Sequence, residues 1–91
     1  MENIYCLIKQ KISLSQTEEA LNLVDRQLSA APADATLHYL CGTIHMKMGN
    51  YRLAMNSFLQ AESLDPSSPA VEAKAMLTDI MNFFHKDLYN P

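Results

Sequence analysis

Residues 34 positions apart align along much of this 91-residue chain. Pro32 and Pro66 stand at that offset, as do Ala20 and Ala54, Val24 and Phe58, and Leu21 and Met55. Leu7 pairs with Cys41, Ile4 with His38 and Ile12 with Met46 in the same way. A period of this kind means one supersecondary unit written more than once, each copy burying its apolar face on its neighbour. Few folds satisfy that constraint in a chain this short.

The periodicity inside each unit is helical. Ile4, Leu7, Ile8 and Ile12 recur at spacings of three and four, predicting an amphipathic first helix that stops near Ser13-Leu14. Ser15-Gln16-Thr17-Glu18 reads as a capping box opening a second helix, whose apolar face is Ala20, Leu21, Val24 and Leu28. Ala30-Ala31-Pro32 turns the chain, since proline cannot continue a helix. Asp34 is the expected N-cap of a third helix from Ala35 to about Met48, with Gly49 in the left-handed position after it. Asn50 is expected to cap a fourth helix, Tyr51 to about Leu64, which Asp65-Pro66 ends. Ser68 and Pro69 announce a fifth, running some twenty residues to Leu88 or Tyr89. The expectation is all-α, five helices with short loops.

A 34-residue helix–turn–helix period is that of the tetratricopeptide repeat. The second copy resembles that family at its signature spacings: Gly42, Gly49, Tyr51, Ala54, Phe58, Ala61 and Asp65-Pro66. The resemblance implies that Gly42 and Ala54 face each other where two helices cross. Phe58 and Ala61 would then pack inside the pair. The first copy keeps Ala20 and Pro32 but has Ile8 for the small residue, Lys11 for an aromatic and Ser15 for the turn glycine. The chain is accordingly divided as a single domain over 1–91: a degenerate repeat in 1–33, a well-matched repeat in 34–68, and a capping helix and tail in 69–91. What the family implies is a right-handed α-solenoid of two helix pairs plus the closing helix; a generic five-helix bundle is the alternative.

In this family the first helix of each pair lines a concave face that holds a peptide or protein segment. By position that face would show Glu2, Tyr5, Lys9 and Ile12, then Thr36, Tyr39, Thr43, Met46 and Lys47. Tyr5, Lys9, Tyr39, Thr43, Met46 and Lys47 are the expected contacts, because tyrosine offers area at small entropic cost and methionine adapts to irregular shapes. A subclass clamps the carboxylate end of chaperone tails with Lys and Asn from three repeats. Here Tyr5 stands at the first Lys position and Lys9 at the first Asn position, so that role is not carried over.

The fifth helix carries a stripe of Ala70, Ala73, Leu77, Ile80, Met81, Phe84 and Leu88. Met76, Phe83 and Tyr89 lie beyond it. A domain this small needs its aromatics inside, which favours their completing the core. The alternative is an association surface of Met76, Phe83, Phe84 and Tyr89, making the chain a self-associating structural protein or homodimer.

Catalysis and cofactors find little support. His38, Cys41 and His45 share one helix face and could hold zinc, but they sit at the repeat's packing positions and helical spacing splays them. The expectation is therefore no metal, no cofactor and no enzyme, since both glycines are explained by packing and turn and no acid–base pair is set in a cleft. A net charge of −3 with no basic stripe argues against nucleic acid. No positive n-region precedes an apolar run and no eighteen-residue apolar window exists, which argues against a membrane. Cys6 and Cys41, placed inside helical patterns, are expected to be free buried thiols in the cytoplasm.

Overall fold

The computed structural model describes residues 3–89, with side chains through Phe83. Five helices follow one another: α1 (Ile4–Ser13), α2 (Thr17–Ala30), α3 (Ala35–Lys47), α4 (Tyr51–Leu64) and α5 (Ala70–Tyr89). No strand occurs among the described residues.

Local chemistry sets most of the boundaries. Asn3 Oδ1 accepts the Tyr5 N–H at 2.8 Å, and Asp34 Oδ1 accepts the Leu37 N–H at 3.2 Å, each filling an orphan donor of a first turn. Ser68 Oγ does the same for the Ala70 N–H at 3.1 Å, with Pro69 just ahead of the helix. The expected capping box is absent. Ser15 sits at φ 61°, in the left-handed region, and Gln16 is the N-cap of α2 without a side-chain bond. Ser15 is engaged in closing α1 instead: its N–H reaches the Ile12 carbonyl at 3.0 Å, and the Gln16 N–H reaches Lys11 at 2.9 Å. This is a Schellman ending. The same ending recurs one period later, with Gly49 at φ 81°, its N–H on Met46 at 3.1 Å and the Asn50 N–H on His45 at 2.8 Å. Asn50, like Gln16, makes no side-chain cap.

The repetition extends through the second helix of each unit. The bounds of α2 and α4 stand one period apart, and both helices end on a non-helical C-cap, Ala31 and Asp65. The Ala31 N–H bonds Gln27 and the Asp65 N–H bonds Ala61, each at 2.8 Å.

Packing is between neighbours. Each helix lies against the next in sequence, and α3 also lies against α1 and α5. Among the described residues α1 and α2 approach neither α4 nor α5. The molecule measures 54 × 28 × 19 Å, and its radius of gyration of 13.8 Å exceeds the ~12 Å of a rounded chain of this length. Two buried clusters result. Ile8, Ile12, Ala20 and Val24 meet Leu37, Leu40, Cys41 and Ile44 in one; Ala54, Phe58 and Ala61 meet Ala70 and Leu77 in the other. Tyr39 packs on both, with its ring centroid 6.1 Å from that of Phe58.

Three packing expectations need correction. A Cβ on Gly42 would stand 2.5 Å from the Phe58 ring, so it is this ring, more than Ala54, whose approach Gly42 permits. Cys6 is exposed, while Cys41 is buried as expected. Met76 and Phe83 do not complete the core: they are 51% and 74% exposed, because α5 turns Ala70, Ala73, Leu77 and Met81 inward instead. The side chains of Phe84, Leu88 and Tyr89 lie outside the described residues.

The inward residues of α5 reveal its register. Ala70, Ala73 and Leu77 follow Leu37, Leu40 and Ile44 at one position less than the repeat period, so α5 covers the second unit much as α3 covers the first. The positions one full period before Leu37, Leu40 and Ile44 hold Asn3, Cys6 and Gln10, all exposed. The outer side of α1 is therefore polar where an internal helix is apolar.

Candidate functional site

α1 and α3 run side by side and leave an open groove of about 210 Å³ between them. Ile12, Tyr39 and Leu40 give it an apolar floor; Lys9, Ser13 and Thr43 form its rim. The floor is fixed by the core beneath it, since Ile12 and Leu40 are almost fully buried. Tyr39 is half-buried, its ring shared between the clusters. Such a hollow is smaller than a pocket for a drug-sized molecule, ~300 Å³ and upward, and suits a single side chain.

The six expected contact residues divide in the structure. Lys9, Tyr39 and Thr43 come together at the groove. Lys47 stands beside it, its ammonium donating to the Ile12 carbonyl at 2.8 Å and so capping the end of α1 while tying it to α3. Tyr5 is engaged elsewhere, its hydroxyl donating to the Asp34 carboxylate. Met46 is half-buried against the second cluster, beside the α4–α5 half of the molecule. Sequence reasoning missed Leu40 and Ser13 as lining residues and the Tyr5–Asp34 and Lys47–Ile12 ties. Leu40 follows Tyr39 on α3, and its burial hid it among core positions. The two ties join residues 29 and 35 apart in sequence, which helical periodicity alone cannot pair.

The bond to Asp34 raises the Tyr5 phenol above its ordinary value of 10.0, with burial and the carboxylate charge acting in the same direction. The Thr43 hydroxyl donates to the Tyr39 carbonyl of its own helix at 3.0 Å. Burial raises the Cys41 thiol, a contact with Ser57 opposes this, and the neutral thiol is favoured. His38 Nε2 lies 2.8 Å from the Pro32 carbonyl, while His45 Nδ1 is buried without a partner among the described residues. No three His, Cys, Asp or Glu side chains among the described residues are grouped to hold a metal ion. What the groove offers is an apolar socket with a cation at its edge.

A second hollow lies between α1 and α2, lined by Leu7, Lys11, Glu19, Asn22, Leu23 and Arg26. Lys11 and Glu19 pair across it at 2.9 Å. No helix among the described residues is long and apolar enough to cross a membrane.

No protein-family model matches the sequence, and no curated protein matches it. Among solved structures, it is similar to Bacteroides fragilis protein BF1650, determined in solution by NMR. The two share 35% identity over 99% of this chain and 91% of the other, and superpose with a TM-score of 0.86.

Proposed function

This chain belongs to the family of the Bacteroides fragilis protein BF1650, and from that premise and the groove geometry we propose that it is a non-catalytic protein–protein interaction module. In this reading it is a short right-handed solenoid of two tetratricopeptide-like helix pairs and a capping helix. It holds a peptide or protein segment on the inner face of α1, α3 and α5. The observation that carries the proposal is the apolar, open groove of Ile12, Tyr39 and Leu40 between α1 and α3. The solenoid is supported by helix endings that recur at the repeat period and by contacts confined to sequence neighbours and to α1–α3 and α3–α5. A closed bundle would bring α1 against α4 or α5. The register of α5 puts Met76 where Thr43 stands on α3, so Met76 and Phe83 extend the same face.

Filling the socket tests this directly. Thr43→Trp should leave helicity and melting unchanged while abolishing capture of partners by the immobilised protein; capture at wild-type levels would remove the inner face as the site. Tyr39→Ala should also weaken capture, but with a lower melting temperature, because its ring packs on both clusters.

The exposure of Met76 and Phe83 favours a second reading, self-association through α5. Sedimentation at micromolar concentration separates the two. A monomer unaffected by Phe83→Ser removes self-association, whereas a dimer dissolved by that change supports it.

A further inference from the structure

The inner face carries its own complement, divided between its two edges. The Tyr5–Asp34 bond joins the starts of α1 and α3, and the Lys47–Ile12 bond joins their ends, so these helices run parallel. α5 takes the same direction after the short loop that follows α4. By the repeat offset and by one position less, Lys9, Thr43 and Met76 then stand at one level across the three helices. The α1–α3 edge holds the socket over Ile12, Tyr39 and Leu40, with Lys9 and Lys47 as its exposed cations. The α5 edge holds the exposed Met76 and Phe83, accompanied by Glu72 and Asp79, also exposed. Both acids face the same side, since they match Tyr39 and Met46 in the register of α5. Asp34 keeps its charge, but it caps α3 and accepts the Tyr5 hydroxyl nine residues ahead of Thr43, about 13 Å along the axis. Lys11 and Lys74 are paired with Glu19 and Glu62, and the other charged residues described stand on α2, α4 or the loop after α4. One edge is a cationic socket; the other is a pair of apolar knobs among acids.

Resting on the reading of the inner face as a binding site, we infer that its occupant is a second copy of this chain, docked face to face about a two-fold axis that runs parallel to the helices and over α3. Such an axis preserves every level and lays α5 of each copy along α1 of the other. Met76 of the second copy then meets the socket beside Thr43, which at about 210 Å³ takes one side chain. Asp79 and Glu72 lie about 4.5 and 6 Å along the axis on either side of it, flanking Lys9. Asp79 also stands within one residue of the level of Lys47. Phe83 continues the contact past the end of α1. Because residue i meets residue j and j meets i, both sockets are filled and each charge pair is made twice. Packing α5 against α5 gains none of this. Whether the helices ran parallel or antiparallel, joining Met76 and Phe83 there would bring the two Asp79 carboxylates together and leave both sockets empty.

The test is sedimentation equilibrium of the full chain at micromolar concentration and above, comparing wild type with Lys9→Glu, Asp79→Lys and Thr43→Trp. Lys9 and Asp79 are exposed, so neither reversal disturbs the core, and circular dichroism checks that helicity is kept. Wild type should dimerise. Each charge reversal should raise the dissociation constant about tenfold, and Thr43→Trp should leave a monomer. An equimolar mixture of the two reversals should regain the dimer, because the mixed pair makes one native and one reversed charge contact. A wild type that stays monomeric, or a mixture that stays dissociated, overturns this inference. So does a dimer indifferent to Lys9→Glu and Thr43→Trp but dissolved by Phe83→Ser, which is α5 against α5. The reading of the groove as a binding site is decided separately: it fails only where Thr43→Trp neither dissolves a dimer nor abolishes capture of partners.

Discussion

At the scale of single residues, the two units reach the same packing with opposite choices. The second unit pairs Gly42 with Phe58; the matched positions of the first hold Ile8 and Val24, fully buried in one cluster. Small with large in one copy corresponds to large with small in the other. Gly42→Ile should therefore force the immobile Phe58 ring aside and cost about 1–3 kcal/mol or more, as overpacking does. Adding Phe58→Val should recover much of that loss in chemical denaturation, and a double variant no more stable than the single one would contradict the exchange. Tyr5 gives a second test at this scale. Its phenol is raised by donating to Asp34, so the folded state holds that proton more tightly than the unfolded chain. The resulting stabilisation is intact below pH 10 and lost as pH rises through the folded titration. Urea midpoints of the wild type should fall more steeply above pH 10 than those of Tyr5→Phe, and parallel curves would show the bond to be idle.

At the scale of elements, α1 and α3 end in the same backbone geometry on different residues. Gly49 adopts its left-handed φ without a Cβ penalty, whereas Ser15 holds φ 61° against one. Ser15→Gly should raise stability by about 0.5–1 kcal/mol, read as a higher denaturation midpoint with unchanged slope. A loss of stability would mean that the serine side chain matters to the turn. The same residue shows what sequence could and could not disclose. Helix order and ends were legible because proline, glycine and cap residues act within a few positions of themselves. Ser15 misled because its hydroxyl suits an N-cap, while the demand that placed it there was the closing of the preceding helix. Its match to Gly49 across the repeat held the correct answer. The register of α5 was not legible for a related reason: the repeat offset shortens by one position there, and only burial of Ala70 and Leu77 reveals it. Three of six expected contacts met at one groove, since helix position fixes which way a side chain points. Tyr5 and Met46 went elsewhere because partners distant in sequence claimed them.

At the scale of the whole molecule, the solenoid proposed above buries the apolar face of each helix pair on a neighbour, so the outermost helices of the described residues must either lack that face or cover it. The front edge does so by composition, with Asn3, Cys6 and Gln10 exposed at positions that α3 fills with Leu37, Leu40 and Ile44. The rear edge does so by addition. α5 lays Ala70 and Leu77 over Phe58 and Ala61, and its Lys74 reaches back to Glu62. Leu77 alone, fully buried, contributes about 1.5–3 kcal/mol. Without α5 the Phe58 ring loses its cover as well, and the remaining chain falls below the ~70–80 residues at which one core suffices. Total stabilities of about 5–15 kcal/mol leave little room for such losses. A chain ended at Ser67 should therefore retain partial helicity but lose its cooperative thermal transition. A sigmoidal melt matching that of the intact protein would mean that the second helix pair stands without its cover, and that α5 serves the inner face alone.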